Sequence, residues 1–383
     1  MKNEFIESVV LKVYPRGAIF TSGQDNVPLK HRFWTISVGG RPRWIVPQLH
    51  KLGLPTLRQW RPYGALSCIK WQALLAIYRF GLLGYLPNVQ SFGVFHQNLL
   101  DWDHVFWDYP EPPTVIIYIG TPGVTSKAVV TLARQDTGRP TVIMKIPLGI
   151  KAAASIAQES FVLKDLENHK HKVSPKLLHY DINSGWSFQE AINGSSVAMR
   201  FTESHYDFLC KLNTSTSFVT LVELSASLLK RLNNLSSLSF DEHLILNRTL
   251  QQIYDDTPIT VGWVHGDFAP WNLKWTNEKV LIAVDWEFSE WGGPIGLDLI
   301  HYHCRINGIA RSGDCSSVSF ESGIINRMRM LKAGIYPTSE QFLKQLIRYY
   351  LVWYQVVLEE HGIVDSTKLD YQRITKELLN ESL

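Results

Sequence analysis

Two carboxylates and a carboxamide, those of Asp267, Asn272 and Asp285, are the side chains whose types and spacing best suggest chemistry. They flank two apolar stretches separated by the polar segment 276–279, a pattern that predicts a β-hairpin. With the turn centred on the two middle residues of that segment, Asn272 lies opposite the 283–285 end of the returning strand. The three side chains are therefore expected to meet at one end of the hairpin.

This set of oxygen atoms suits phosphoryl transfer. Carboxylate and carboxamide oxygens are hard ligands that bind Mg²⁺, which bridges phosphate oxygens, while a second carboxylate orients or deprotonates the attacking hydroxyl. The reaction also needs a cation on the nucleotide phosphates, and Lys145 ends an apolar run. A buried lysine needs an anionic partner. Glu159 on the following predicted helix can supply it, with Glu167 on the same helix as the alternative.

The elements that position these residues are predicted to be a small sheet with one helix, followed by a helical region. Short β-branched runs predict strands, and apolar residues at helical spacing predict a helix between the third and fourth of them. The predicted strands are 114–119, 128–133, 141–146, 176–181 and 186–191, and the helix is 156–167. Helical patterns beyond Gly194 cover 218–235, 243–254, a segment that starts near Asp298, 338–360 and 366–379.

Composition excludes several classes of protein. A chain of 383 residues with 45% hydrophobic and 19% charged residues is expected to fold into two or three compact units. A net charge of +3 is too mild for a nucleic-acid-binding protein. The four cysteines form no C-x-x-C pair, the beginning of the sequence carries no secretory signal, and the most apolar run, 71–86, is short for a membrane span. These features predict a cytoplasmic location.

The first quarter of the chain differs from the rest. Residues 26–100 contain nine Lys or Arg, four Trp and no Asp or Glu, and they are expected to form irregular structure followed by one helix near 69–85. The proline cluster at 110–113 is the predicted domain boundary. Two interpretations stay open. The segment is a cap packed on the following domain, or it makes peripheral contact with an anionic membrane, with 71–86 in the interface.

The motif His265-x-Asp267-x-x-x-x-Asn272, followed by Asp285 in an Asp-Trp-Glu context and preceded by Lys145 and Glu159, resembles the aminoglycoside phosphotransferase and choline kinase-like family. That resemblance implies an α+β, two-lobed protein-kinase-like fold. The small antiparallel sheet lobe would be residues 114–192 and the mainly helical lobe, with the catalytic loop, residues 193–383. The N-terminal basic, Trp-rich extension, residues 1–113, would precede them.

The resemblance also implies roles for single residues. Asp267 would be the catalytic residue, Asn272 and Asp285 the Mg²⁺ ligands, and Lys145 the phosphate-binding lysine with Glu159 as its partner.

Further positions would bind ATP. A loop with Gly120, Gly123 and Ser126 would cover the phosphates, although it lacks the strict Gly-x-Gly-x-x-Gly pattern of protein kinases. Gln189 and Ala191 would lie at the hinge, with backbone groups holding adenine. Asp298 would buttress the catalytic loop.

The activity that this resemblance implies is ATP- and Mg²⁺-dependent phosphotransfer to an alcohol group of a small molecule. The His-Gly-Asp-Phe-x-Pro-Trp-Asn variant is similar to that of kinase-like proteins associated with bacterial surface-polysaccharide synthesis, which implies a sugar or a lipid-linked glycan precursor of the cell envelope as acceptor. The alternative is a catalytically inactive kinase-like binding or scaffold protein in surface-polysaccharide assembly. No nucleic-acid partner is expected.

Several other side chains have two interpretations. His265 is a structural residue or a proton carrier, and Glu287 supports the metal, braces a loop or is solvated. Four residues form a zinc site or are ordinary core and surface residues: His301, His303, Cys304 and Cys315. An aromatic stripe at helical spacing forms core or lines a substrate pocket: Phe342, Tyr349, Tyr350, Trp353 and Tyr354.

Overall fold

The computed structural model describes most of the chain. The described ranges are 2–14, 19–21, 28–60, 62, 65–95, 111–169, 172–212, 218–294, 296–307, 317–329, 339–363 and 368–380. The chain forms two compact units. The first consists of Met1–Lys164, Pro175–Ser196 and Trp275–Val280, and the second of Asp165–Ser174, Val197–Lys274 and Leu281–Leu383.

The described elements are short strands and helices of about two to six turns. The strands are β1 (Ile19–Thr21), β2 (Arg32–Val38), β3 (Arg41–Pro47), β4 (Val89–Phe95), β5 (Thr114–Ile119), β6 (Lys127–Ala133), β7 (Pro140–Pro147), β8 (Leu177–Asp181), β9 (Trp186–Glu190), β10 (Gly194–Ser196), β11 (Phe218–Val219), β12 (Ile259–Thr260), β13 (Gly262–Val264), β14 (Leu273–Thr276), β15 (Leu281–Ala283) and β16 (Glu290–Gly293). The helices are α1 (Lys2–Val13), α2 (His50–Leu57), α3 (Ala65–Arg79), α4 (Ala152–Asn168), α5 (Glu203–Leu212), α6 (Leu221–Asn233), α7 (Phe240–Gln251), α8 (Gly296–Asn307), α9 (Ser317–Arg329), α10 (Glu340–His361) and α11 (Lys368–Asn380).

One antiparallel sheet organises the first unit. Among the described strands its order is β1-β4-β2-β3-β5-β6-β7-β9-β8. Ile45 of β3 pairs with Ile117 of β5, so the sheet continues across the predicted boundary at residue 113. The prediction of irregular structure before residue 69 is therefore wrong. Arginines at exposed and half-buried positions of β2 and β3, such as Arg32 and Arg43, interrupt the apolar pattern by which strands are recognised.

The two faces of this sheet are covered differently. Val115 and Ile117 of β5 pack in a core cluster with Val10 of α1, whereas Ile116 packs in a second cluster with Leu57 and Trp71 of α2 and α3. Alternation along the strand produces this division, since successive side chains point to opposite faces. The extension thus supplies helices to both sides of the sheet.

Aromatic rings join the Trp-rich segment to the sheet. The ring centroids of Trp44 and Tyr118 lie 4.7 Å apart, and those of Trp60 and Trp71 lie 4.5 Å apart. Trp44 and Trp71 are also in contact, at 5.6 Å. Trp71 is 6% exposed, so the expectation that it lies in a membrane interface is wrong. Tilted and edge-to-face contacts between large rings favour burial of this tryptophan over exposure.

Helix α3 begins earlier and ends earlier than the sequence pattern indicated. It ends at Arg79, because Gly81 adopts a left-handed conformation with φ of +72°. The N–H of Leu82 then donates to the carbonyl of Ile77 at 3.0 Å, which is the bond of a Schellman motif. A separate 3-10 turn follows at Leu83–Tyr85.

The second unit is mainly helical and is built around α10. This helix packs against α6, α7, α8, α9 and α11. The aromatic stripe on α10 is buried, which confirms the core interpretation. Ser339 caps α10 by accepting the N–H of Phe342 at 3.2 Å. No helix in the described ranges has the length and apolar character needed to cross a membrane.

We predict that Ile45→Ala destabilises the whole first unit. Ile45 is 1% exposed, and its strand, β3, pairs with β5, which follows residue 113 in the sequence. Removing its side chain therefore costs about 2–5 kcal/mol. Urea unfolding of the full chain measures this, with Val38→Ala, at a position 65% exposed, as the control. A loss confined to a separate, earlier transition would contradict a shared sheet.

Candidate functional site

The loop that carries Asp267 makes a turn that only glycine permits. Gly266 follows β13 with φ of +82°, and a Cβ atom there would lie 2.3 Å from the carbonyl oxygen of Phe288. Any larger residue would push β13 and the segment before β16 apart. The turn brings Asp267 out of the strand direction immediately after the buried His265.

Asp298 fixes this turn from the first turn of α8. Its Oδ2 accepts the N–H of His265 at 2.7 Å and its Oδ1 accepts the N–H of Gly266 at 3.0 Å. The side chain is buried, and burial raises the pKa of Asp298 to about 7 even though the two N–H groups lower it. The buttressing contact implied for Asp298 is therefore present.

The hairpin has the predicted register. Thr276 N–H donates to the carbonyl of Val280 at 2.9 Å, and Lys279 takes a left-handed conformation with φ of 59°, as expected for a type I turn followed by a bulge. The N–H of Val284 donates to the carbonyl of Asn272 at 2.8 Å. Asn272 thus lies beside the residue that precedes Asp285, as the sequence pattern predicted.

Three donors hold the carboxylate of Asp267. Nε2 of His301 lies 3.0 Å from Oδ1, while Nδ2 of Asn272 and Nε1 of Trp271 donate to Oδ2 at 2.8 and 3.4 Å. Burial raises the pKa of Asp267, but the His301 bond and the charge of Arg305 outweigh it, so this pKa lies below its ordinary value. The side chain remains 21% exposed. The group is an ionised carboxylate, fixed in direction and still accessible.

The role of His301 in the site was not predicted from the sequence. His301 is fully buried on α8, and its Nδ1 lies 3.0 Å from the hydroxyl of Tyr350. The carboxylate of Asp267 can only accept, so Nε2 carries the proton of that bond. A signal was present: His301 lies three residues after Asp298, and such residues share one helix face.

The zinc alternative gains no support within the described residues. His303 faces Arg327, with Nδ1 and a guanidinium nitrogen 3.1 Å apart, and Cys315 lies outside the described ranges. In those ranges, no group of three His, Cys, Asp or Glu side chains has the geometry of a metal site.

His265 has a structural position. It is fully buried, its Nε2 donates to the carbonyl of Val284 at 3.1 Å, and its Nδ1 accepts the N–H of Asp267 at 3.3 Å. Burial lowers the pKa of His265 to about 4, although neighbouring carboxylates raise it. A neutral ring satisfied at both nitrogens favours the structural alternative over the proton carrier.

Trp286 anchors the segment that carries the second carboxylate. Its indole is fully buried, donates to the carbonyl of Ala283 at 2.9 Å and lies 4.5 Å from the ring of His265. Asp285, just before it, is half-buried with φ of 69°. Left-handed backbone is uncommon for residues other than glycine, and it marks a constrained position. Glu287 is 8% exposed, so its solvated alternative is wrong.

The oxygen atoms of Asn272 and Asp285 fit a magnesium ion. The amide nitrogen of Asn272 is held by the carbonyl and carboxylate of Asp267, which leaves its Oδ1 as a ligand atom. Mg²⁺ takes few protein oxygens and completes its shell with water and phosphate. One carboxamide and one carboxylate are therefore chemically suitable as the protein ligands of Mg²⁺.

In the first unit, the predicted ion pair is formed. Nζ of Lys145 lies 2.7 Å from each carboxylate oxygen of Glu159, and both side chains are buried. Glu167 is exposed, so Glu159 is the partner of the two candidates. Lys145 pairs across the sheet with Ser187, and both belong to the face opposite Met144.

The loop expected to cover phosphates is tied to the segment that follows β7. The carbonyl of Ser126 accepts the N–H groups of Leu148 and Gly149 at 2.9 and 2.8 Å. A Cβ atom on Gly149 would lie 2.2 Å from the carbonyl of Val124. Gly149, which the sequence analysis did not single out, thus permits the close approach of this loop. Gly120 bonds through its N–H to the carbonyl of Lys127, and Gly123 has open space where a side chain would be.

The hinge expectation needs correction at Ala191. Its N–H donates to the carbonyl of Thr141 at 2.9 Å, and its carbonyl accepts Nδ2 of Asn193 at 3.3 Å. Gln189 lies in β9, which pairs with β7 on one side and β8 on the other. The backbone groups of Ala191 are used within the chain, because the pairing beside β7 continues to Thr141.

We predict strong coupling between Lys145 and Glu159. Lys145→Met or Glu159→Leu alone leaves a buried charge without its partner and costs about 3–5 kcal/mol, whereas the double variant recovers much of that loss. A double-mutant cycle by chemical denaturation measures the coupling. The exposed pair Lys344 and Glu340, 3.1 Å apart, is the control and should show little coupling. Additive losses at Lys145 and Glu159 would contradict this prediction.

We predict that Asp298→Asn destabilises the second unit by about 1–3 kcal/mol, because the new amide group faces an N–H donor that a carboxylate oxygen now accepts. Thermal unfolding measures the change. Asp255→Asn is the matched control, since its oxygen can still accept the N–H of Thr257 in a surface turn. Equal melting temperatures for the two variants would be inconsistent with the proposed bracing.

Comparison with known proteins found one matching family model and several similar solved structures. The sequence model of the phosphotransferase enzyme family matches residues 129–303. Choline kinase LicA from Streptococcus pneumoniae is a similar solved structure, with 15% identity, a TM-score of 0.43, and 66% of this chain and 89% of that one covered. Macrolide 2'-phosphotransferase MphH from Brachybacterium faecium has 13% identity, a TM-score of 0.41, and coverage of 69% and 91%. No curated protein matches the chain.

The matched range contains the Lys145–Glu159 pair and the residues Asp267, Asn272 and Asp285, while the loop from Gly120 to Ser126 precedes it. Residues 129–303 are therefore similar in sequence to the phosphotransferase enzyme family, and the described chain has an α+β fold with an antiparallel sheet and a helical region.

Proposed function

We propose that the chain transfers the terminal phosphoryl group of ATP, with Mg²⁺, to a hydroxyl of a small molecule. One observation carries this proposal: the carboxylate of Asp267 is held by three donors yet remains 21% exposed. Such a group is ready to orient an acceptor hydroxyl and to take its proton as the new bond to phosphorus forms.

The second unit would supply the acceptor side of the reaction. Because His301 and Asn272 already fix both oxygens of Asp267, little reorganisation is needed when the hydroxyl arrives. Asn272 and Asp285 would hold Mg²⁺, which when bound neutralises charge on the phosphate oxygens. His265 keeps the two segments in register through its bonds to Val284 and Asp267.

The first unit would bind the nucleotide. Lys145, oriented by both oxygens of Glu159, would place its charge on the phosphates. The loop with Gly120, Gly123 and Ser126 would cover them with backbone groups. At the hinge, Gln189 remains a candidate for the adenine site, and the bonded backbone of Ala191 makes a direct contact there less favourable.

The acceptor that we propose is a sugar or a lipid-linked glycan precursor of the cell envelope. The similarity of the His-Gly-Asp-Phe-x-Pro-Trp-Asn motif to kinase-like proteins of surface-polysaccharide synthesis supports it. The alternative is an inactive scaffold of the same fold. The retained Lys145, Asp267, Asn272 and Asp285 favour the enzyme, since an inactive relative would not need all four.

We also propose a cytoplasmic location, where ATP is available, with peripheral contact between residues 26–100 and an anionic membrane. The charge pattern supports this, because nine basic and no acidic residues lie in that segment.

The first test is stabilisation of the full chain by ATP and Mg²⁺. We expect a higher melting temperature with both, lost in Asp285→Ala and retained in the control Asp256→Ala, which removes an exposed carboxylate elsewhere in the second unit. If no nucleotide stabilises the chain, the kinase proposal is wrong and the scaffold alternative is favoured.

The same test has a catalytic arm. Phosphate transfer is screened against sugars, lipid-linked sugars, choline-like alcohols and aminoglycosides. Asp267→Asn should keep nucleotide-dependent stabilisation but lower kcat about 10²- to 10⁴-fold, because it removes the base and leaves the nucleotide groups intact. Unchanged phosphate transfer in Asp267→Asn would show that this residue takes no part in the reaction.

A further inference from the structure

Helix α3 has two apolar faces, and the core uses only one of them. Trp71, Leu75 and Tyr78 face the cluster that contains Leu57, and all are buried. The hydroxyl of Tyr78 donates to the carbonyl of Pro47, which locks the helix against β3. The inner face is therefore fully explained by packing.

The opposite face is apolar and exposed. Its members are spaced three and four residues apart, so they form one stripe along the helix. They are Leu66 (74% exposed), Ile69 (65% exposed), the exposed Ala73 and Ala76, and Phe80 (73% exposed). The stripe continues past Gly81 in Leu82, which is 47% exposed, and Tyr85, which is 85% exposed. We call these residues the α3 outer face.

A scattered exposed leucine needs no explanation, but a contiguous apolar stripe indicates a binding surface. The charges around it narrow the choice of partner. The exposed Lys70 and Arg79 lie on the two sides of the stripe, and the exposed Lys51 and Arg58 lie on α2 and just after it. No carboxylate occurs between residues 26 and 100 to oppose them.

We propose that the α3 outer face lies in the interface of an anionic membrane, with its apolar side chains among the acyl chains and the flanking lysine and arginine on the head groups. A helix parallel to the bilayer needs an apolar stripe bordered by basic residues. A tyrosine such as Tyr85 is favoured at head-group depth, and a phenylalanine such as Phe80 is typical of the apolar face of an interfacial helix.

This inference deepens the proposed membrane contact by naming the surface that makes it, and it corrects the earlier expectation about which side chains are involved. The tryptophan at position 71 faces the core, and Ile69 and Phe80 face outward. An acceptor linked to lipid would reach an enzyme held in this way without leaving the bilayer surface.

Sedimentation of the full chain, without nucleotide, with vesicles of equal parts phosphatidylglycerol and phosphatidylcholine tests the proposal. Ile69→Ser combined with Phe80→Ser should weaken vesicle binding about tenfold or more, since two apolar side chains lose their burial. The matched control combines Ile182→Ser and Phe240→Ser, which remove the same residue types from positions that are each 80% exposed. The control should bind as the unchanged chain does.

The electrostatic part has its own variant. Lys70→Gln with Arg79→Gln should lower binding to these vesicles about fivefold per charge removed. Binding should also weaken as salt is raised.

Three outcomes would overturn the proposal. They are failure of the unchanged chain to sediment with anionic vesicles at low salt, equal weakening by the outer-face and control variants, and a change of oligomeric state in the outer-face variant, which would assign the stripe to a second copy of the chain. The melting temperature of each variant with ATP and Mg²⁺ is measured in parallel. Lost vesicle binding with intact nucleotide stabilisation then separates failure of this surface from failure of the phosphotransferase proposal.

Discussion

The carboxylate of Asp298 accepts the backbone N–H groups of His265 and Gly266, and the position of Asp267 depends on the turn that these two bonds hold. A carboxylate buried to this degree is costly unless donors compensate it. The two N–H groups provide that compensation only while Gly266 keeps its left-handed conformation. The catalytic loop and the first turn of α8 therefore depend on each other, and together they set the direction of the Asp267 side chain.

The negative charge of Asp267 lies close to the buried carboxyl group of Asp298. Its negative charge raises the pKa of Asp298, so two carboxylates share a region of low dielectric. His301 and the guanidinium of Arg305, which lies 4.9 Å from the ring of Trp271, offset this repulsion at Asp267. His301 also fixes the carboxylate in space, together with Asn272 and Trp271. Stabilisation of the charge and orientation of the base are thus linked through His301.

Local patterns in the sequence were sufficient to locate the strands β5 to β9 and to predict the hairpin and the Lys145–Glu159 pair. The hairpin and the ion pair each join elements that are neighbours along the chain. Local patterns failed where the partner is distant. The pairing of β3 with β5 depends on an aromatic cluster around Trp44, which no local periodicity reveals. His301 and Ala191 failed for the same reason. Their partners, Asp267 and Thr141, are 34 and 50 residues away, and whether a histidine or a terminal N–H is bonded depends on tertiary contacts.

In the Trp-rich extension, the residue types alone do not indicate which side chains are exposed. Tryptophan is common at membrane interfaces, yet here Trp71 contacts the rings of Trp44 and Trp60 inside the first unit. The side chains of the α3 outer face are aliphatic or aromatic. Helix stability does not require them, since Lys, Gln and Glu have helix propensities similar to that of Leu and better than those of Ile and Phe. Core packing does not require them either, because the inner face of α3 already fills its cluster. An apolar outer face on such a helix therefore contributes nothing to the fold of the isolated chain, and its physical rationale lies in what it contacts.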